Sequence, residues 1–236
     1  MPLWIPPLIA FLAGSIPFGL LIAKAKGVNI RDHGSGNIGA TNVLRVIGKP
    51  YGIACLILDF LKGFLPTLLA ISIYLIQGRE AQFAISSLES LATTFHSEDI
   101  WKGQTFVILT GLFAILGHNY SPWIGFKGGK GIATSGGVLV ALMPVGVLVL
   151  LVVWVLLFFT TRYVSVASIG AAIAVPFTVL YGSYRHGYLA EGSWNKPLFI
   201  FSIVIALLAV WRHRSNIVAL KNGTEHKFTK KTSTDK

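Results

Sequence analysis

The chain has 236 residues, of which 53% are hydrophobic and 12% charged, with a formal net charge of +11. By length it would make one domain. A single water-soluble core could not enclose apolar runs this many and this long, so residues 1–236 are read as one polytopic membrane domain. The runs are continuous instead of alternating, which excludes a barrel, and the basic residues flank them instead of forming a soluble basic domain, which excludes nucleic acid.

The first apolar run covers about residues 3–23 and contains no Lys or Arg. It lacks the basic start of a secretory signal and reads as the first membrane helix. Further runs lie at about 50–76, 104–118, 131–160, 164–182 and 198–211. A span takes roughly 20 residues, so Ile132–Thr160 is too long for one helix and short for two.

Charge parity resolves the count. Lys24, Lys26, Arg31, Arg45 and Lys49 face a lone Asp32 in the first link, which places it on the cytoplasmic side and the N-terminus outside. The link from Gln77 to Gly103 sets Arg79 and Lys102 against Glu80, Glu89, Glu98 and Asp99, which fits the exterior, away from any cytoplasmic site. If the long run breaks near Met143-Pro144-Val145-Gly146, Arg162 and the basic tail both return to the cytoplasm. The expectation is an all-α polytopic protein of seven transmembrane helices, some short or re-entrant, N-out and C-in, with residues 221–236 as a polar cytoplasmic tail.

Within the membrane runs, Asp59 and Lys62 share a helix face at i,i+3 and are expected to pair toward the bundle, a structural role in preference to a catalytic one. Cys55, the single cysteine, is expected as packing that faces the membrane. No metal-ligand spacing appears among the six His, and neither a metal nor a cofactor is expected.

Three polar segments carry the chemistry. The first holds a G-x-G-x-x-G at Gly34, Gly36 and Gly39 with no preceding strand, so a dinucleotide site is excluded; glycines without Cβ can still turn backbone N–H groups onto an anion, beside Ser35, Thr41, Asn42 and Arg45. A flexible turn with basic topology markers is the alternative. The second, Phe126–Gly131, resembles a P-loop superficially, but three residues separate Gly125 from Gly129 and Gly131 follows Lys130, so ATP binding is not supported. Lys127 and Lys130 there offer either an anion site or positive-inside anchors. In the third, His213 could act as a base and Asn216 could orient a substrate, against the alternative of a juxtamembrane basic cluster. His118 and Ser165 read from composition as structural residues. No Ser-His-Asp order or nucleophile elbow is present.

Taken together, GSGNIGATNVLR at 34–45, GHNYSPWIGFKGGKGIAT at 117–134 and HRSNIVALKNGTE at 213–225 resemble the bacterial acyl-phosphate:glycerol-3-phosphate acyltransferase family (PlsY). Gly14-Ser15-Ile16-Pro17 and Asp59-x-x-Lys62-Gly63 extend the likeness over nearly the whole chain. The resemblance implies a multi-pass enzyme of the bacterial inner membrane with its site facing the cytoplasm. It would move a fatty acyl group from acyl phosphate to the 1-hydroxyl of glycerol 3-phosphate, giving lysophosphatidic acid and inorganic phosphate. Acyl-CoA and acyl carrier protein are not the family's donors. Membrane phospholipid surrounds it, and no obligate protein partner is expected.

Carried over by motif, the site comprises Ser35, Gly36, Asn37, Gly39, Thr41, Asn42 and Arg45, then His118, Lys127, Gly128, Gly129 and Lys130, then His213, Arg214, Asn216 and Glu225, with Ser165 at the Arg162–Ser165 junction. His213, Asn216 and Ser35 are the catalytic candidates and the others bind substrate, with Ser35 in both roles. Where the family often has a basic residue three after Asn, this chain has Ala219. A phosphate transporter would instead require inverted repeats and a mid-membrane site, and a lipid-binding scaffold would leave the glycine motifs unexplained.

Overall fold

The computed structural model describes residues 2–78 and 86–228. Residues 79–85 of the expected outward link, with Arg79 and Glu80, and residues 229–236 of the expected tail lie outside the described residues.

The first apolar run forms α1 (Ile5–Gly14) and α2 (Phe18–Ala25). Pro17 has no N–H to continue the ladder and stands at the break between them. A short α3 (Ala40–Val46) precedes the long α4 (Lys49–Ile73), which opens with Pro50 in its first turn. At the far end of α4, β1 (Tyr74–Ile76) pairs in parallel with β2 (Thr93–Phe95), Tyr74 opposite Thr93. Apart from this three-residue pairing the described residues are helical and loop, as the all-α expectation has it. The ribbon closes over Tyr74, Phe95 and Phe106, whose rings pack together, at the end of α4 opposite the α3 junction.

The chain returns through α5 (Ile100–Asn119) and enters α6 (Ile132–Leu142), α7 (Pro144–Thr161), α8 (Val164–Arg185), α9 (Lys196–Arg212) and α10 (Arg214–Lys221). The expected break in the long apolar run falls at Met143, where Pro144 starts the next helix. At 11 residues, α6 is about 16 Å long against a hydrocarbon core of roughly 30 Å. Among the described residues five spans are long and apolar enough to cross a bilayer, α1 and α2 counting together, or six if α9 and α10, bent by 52°, form one.

Helix packing rests on small residues facing backbone, as expected where lipid removes the hydrophobic drive between helices. A Cβ on Gly63 of α4 would strike the Thr134 carbonyl of α6, and one on Gly137 of α6 would strike the Phe60 carbonyl of α4. The same reciprocal arrangement joins Gly14 of α1 and Gly117 of α5. Ile115, Val138, Val175, Val179, Phe201 and Ile205 fill the core among α5, α6, α8 and α9. By contrast, α7 has Leu150 as its one buried residue and leaves Val145, Leu148, Val149, Val152, Leu156 and Phe159 exposed for lipid.

Cys55 departs from expectation. It is fully buried, its Sγ 3.7 Å from Asp59 Oδ2 and close to where a Cβ on Gly19 would lie. The close approach of α2 to α4 encloses a small side chain that hydropathy alone would turn toward lipid.

Candidate active site

The first polar segment is shaped by a side chain that does not reach the cavity. Asn42, buried at the start of α3, donates through Nδ2 to the carbonyls of Ile30 (3.3 Å), His33 (3.0 Å) and Asn37 (2.9 Å), while its Oδ1 accepts the Ser35 N–H at 2.9 Å. Between these anchors Gly34 and Gly36 turn at φ +59° and +67°, a region open to glycine at little steric cost. Held this way, Ser35, Asn37, Gly39, Thr41 and Arg45 line one wall of a cavity of about 400 Å³.

The second segment folds back along the end of α5. Gly129 N–H donates to the His118 carbonyl (3.1 Å) and Gly128 N–H to the Asn119 carbonyl (3.2 Å). A Cβ at Gly128 would meet that first carbonyl and one at Gly129 the His118 ring, so the Gly-Gly pair fits the approach. Arg212, at the end of α9, clamps the turn from the other side, with Nη2 donating to the carbonyls of Gly128 and Gly129, both at 2.8 Å. Trp123 Nε1 and Ser121 Oγ tie the segment to Ser15 at the break between α1 and α2, both at 2.6 Å. The outcome is one lysine in and one out: Lys130 lines the cavity, while Lys127 is exposed and faces a separate hollow.

The corner between α9 and α10 supplies the third wall. His213 Nδ1 lies 2.8 Å from the Ala209 carbonyl. A carbonyl can only accept, so Nδ1 carries the proton and Nε2 keeps a free lone pair. Burial, with the charge of Lys130 next in size, pushes the His213 pKa down to about 4, so it is neutral near pH 7. Lys130 Nζ donates to Asn216 Oδ1 at 2.6 Å, and Asn216 Nδ2 donates to both Glu225 oxygens at 2.8 and 3.0 Å. Ser165 Oγ, from the first turn of α8, donates to Glu225 Oε1 at 2.8 Å. Burial lowers the Lys130 pKa to about 8, with Glu225 opposing the shift.

Glu225 arrives there because the tail doubles back. Gly223 turns at φ +70°, and Phe228 N–H donates to the Arg162 carbonyl (2.9 Å) while its ring packs edge-on against Phe158.

The structure therefore brings Ser35, Asn37, Gly39, Thr41, Arg45, His118, Lys130, Ser165, His213, Asn216 and Glu225 around one cavity. Gly36 and Arg214 line an adjoining outer vestibule, Gly129 backs the Arg212 clamp, and Gly128 and Lys127 face the separate hollow. Six residues expected to bind substrate thus do not line this cavity, namely Gly36, Asn42, Lys127, Gly128, Gly129 and Arg214; Asn42 uses its amide on its own loop, and Lys127 faces the neighbouring hollow. Sequence reasoning missed Trp154, His226 and Arg212, and it placed Asp59 purely in the bundle, although Asp59 also walls the inner end of the cavity. Arg212 adjoins the third motif, which was a usable signal; Trp154 in an unbroken apolar run offered none.

Beyond Ile132, Leu151, Trp154 and Ser168 the polar cavity continues into an apolar groove among α6, α7, α8 and α9, also lined by Leu139, Val147, Leu150, Val175 and Ile205. A charged head and a long apolar tail would fit across the two.

A family model described as glycerol-3-phosphate acyltransferase matches residues 4–223. Glycerol-3-phosphate acyltransferase of Aquifex aeolicus is 41% identical over 221 residues, covering 94% of this chain and 96% of that protein. The Geotalea daltonii protein of the same name is 45% identical over 220 residues, covering 93% and 94%. Among solved structures, the glycerol 3-phosphate form of PlsY, an integral membrane glycerol 3-phosphate acyltransferase, superposes with a TM-score of 0.75 at 38% identity, covering 97% of this chain and 96% of that one. The lysophosphatidic acid form gives a TM-score of 0.73.

Proposed function

The chain belongs to the glycerol-3-phosphate acyltransferase family, and from that premise we propose that it transfers a fatty acyl group from acyl phosphate to the 1-hydroxyl of sn-glycerol 3-phosphate. Lysophosphatidic acid and inorganic phosphate leave. The observation that carries this reading is the joining of a hydrogen-bonding cavity that holds Arg45 and Lys130 to an apolar groove, because the donor combines a phosphate head with a greasy tail and the acceptor is a second phosphate ester.

In this reading Arg45 and Lys130 hold the phosphates and Ser35 adds a hydroxyl donor. Asn216, held by Glu225, orients the acceptor. The acceptor oxygen attacks the acyl carbonyl carbon, the bond from that carbon to the phosphate oxygen breaks, and the acyl group passes across without an acyl-enzyme. The proton goes to His213 Nε2 or to a departing phosphate oxygen. Backbone N–H groups of the glycine segments stabilise the tetrahedral oxyanion, and the mixed anhydride supplies a good leaving group.

We further infer seven passes with the cavity on the cytoplasmic side of the inner membrane. The links after α2, α5 and α7 and the corner after α9 all contribute to the same cavity, as alternate crossings would require, and they hold much of the chain's basic charge.

The test is purified protein in lipid with acyl phosphate and glycerol 3-phosphate, read by mass spectrometry for lysophosphatidic acid. Product with acyl phosphate and none with acyl-CoA is expected; no product would remove the enzyme reading. His213→Ala should lower kcat by about 10²- to 10⁴-fold, the usual worth of a general base. A near-normal rate at saturating acceptor would assign the proton to the substrate phosphate instead.

A further inference from the structure

The cavity is not the only hollow with basic side chains at this end of the bundle. Across the Gly128 turn lies a pocket of about 460 Å³ ringed by Arg31, Lys127, Arg212 and Arg214, with Tyr120 and Trp211 in its walls. None of these four cations has a carboxylate partner among the described residues, where the ion pairs join Asp59 with Lys62 and His118, and Asp99 with Lys102. Their heads are nevertheless anchored. Arg31 Nη2 donates to the Lys127 carbonyl (3.0 Å), Arg212 clamps the glycine turn and lies over the Tyr120 ring at 5.2 Å, and Arg214 lies over the Trp211 ring at 4.8 Å. A guanidinium has five N–H donors, and these contacts leave several unused. Like charges gathered without a counterion repel, so an anion in their midst is favoured.

The surroundings say which anion. Trp123, Phe126 and Trp211 are 64%, 61% and 58% exposed, and the latter two line the pocket itself. Phe126 holds this outward position at φ +59°, a conformation costly for a bulky side chain. Exposed tryptophans beside the ends of membrane helices mark the headgroup level of a bilayer. A cationic pocket at that depth meets phosphodiester headgroups before it meets free solutes.

We propose that this pocket binds the headgroup of an anionic phospholipid, its phosphate between Arg31, Lys127 and Arg214 and its chains running down past Phe126 and Trp211. The pocket borders the vestibule, sharing Gly36, Asn37, Arg212 and Arg214 with it, but its own cations Arg31 and Lys127 lie outside the cavity, and the proposal does not depend on the reading of the cavity as an active site.

Native mass spectrometry of the full chain in detergent, titrated with phosphatidylglycerol or phosphatidylcholine, tests it. The wild type should retain phosphatidylglycerol at least tenfold more tightly than phosphatidylcholine. The double variant Arg31→Gln, Lys127→Gln should lose that preference while Lys130→Met, in the cavity, keeps it. Equal retention by the double variant, or loss confined to Lys130→Met, would overturn the proposal. So would displacement of the lipid by inorganic phosphate at equal concentration, since the pocket would then serve a free anion. If the double variant does not fold, Lys127→Gln alone, at an exposed side chain, should still weaken binding several-fold, and no weakening would count against the site.

Discussion

Two polar clusters of this protein sit a few residues apart and are built on opposite principles. In the bundle, Lys62 Nζ lies 2.7 Å from Asp59 Oδ1 and donates to the Ile16 carbonyl at 2.8 Å, with both side chains only 4% exposed. That bond ties α4 to the gap between α1 and α2, where Pro17 interrupts the backbone ladder. His118, at 3.6 Å from Asp59, continues the cluster toward the glycine turn. In the cavity, Lys130, Asn216, Glu225 and Ser165 form a chain drawn from three separate segments. The bundle charges pair with one another, and Lys62 also bonds a backbone carbonyl, while His118 Nδ1 is left without a hydrogen bond among the described residues. The cavity charges are held by hydrogen bonds to neutral side chains, which in the proposed reading a substrate phosphate or hydroxyl replaces. Charge deep among helices thus assembles the protein, and charge at their ends is left exchangeable.

The largest effect should come from breaking the first cluster. Asp59→Ala would strand the Lys62 ammonium among helices, and loss of one partner of a buried pair costs about 3–5 kcal/mol. Thermal unfolding in detergent should show it as a large fall in midpoint or a loss of folded protein. Replacing both residues, Asp59→Leu with Lys62→Met, should recover much of the loss, because no unpaired charge remains. Failure of that recovery would mean that Asp59 acts chiefly through the cavity it also lines.

The second cluster should respond in rate and hardly in stability. Lys130→Met removes a charged donor that, in the proposed reading, holds the substrate phosphates, and deleting one such group costs roughly 10²–10³-fold in rate. Measured against acyl phosphate and glycerol 3-phosphate in lipid, kcat/KM should fall by about that factor while the unfolding midpoint stays near wild type. A matching loss of stability would erase the distinction between the two clusters.

What could be read without the structure divides along the same line. The Asp59–Lys62 pair followed from i,i+3 spacing, and the break at Met143 followed from Pro144 and charge parity, both local rules. Convergence of the three glycine segments was legible because each lies at a helix end of the same parity. Which side chains of those segments reach inward was not. Asn42 was misread as a contact because its work is to gather the Ile30, His33 and Asn37 carbonyls, a tertiary fact without a sequence pattern. Lys127 and Lys130 differ only in where the Arg212 clamp and the His118 carbonyl hold the turn between them. Cys55 and Trp154 lie in apolar runs whose inward faces are set by neighbouring helices, and the β1–β2 ribbon joins residues far apart in the chain.

The smallest effect, and the one that most directly tests whether the cavity charge is exchangeable, is on pH. Burial holds the Lys130 pKa at about 8, so its ammonium is mostly charged at neutral pH and is lost as pH rises through that value. Phosphate binding needs the charged form, and kcat/KM reports ionisations of the free enzyme. The rate should therefore halve near pH 8 and then drop about tenfold per unit of pH above it. His213, with its pKa pushed down to about 4, is already neutral across this range and contributes no alkaline limb. Lys130→Arg should keep partial activity and move the limb upward, since a guanidinium stays protonated. A profile flat through about pH 9.5, or an unmoved limb in Lys130→Arg, would show that the phosphates are held by Arg45 alone and that Lys130 is locked into its bond with Asn216 as firmly as Lys62 is into its own.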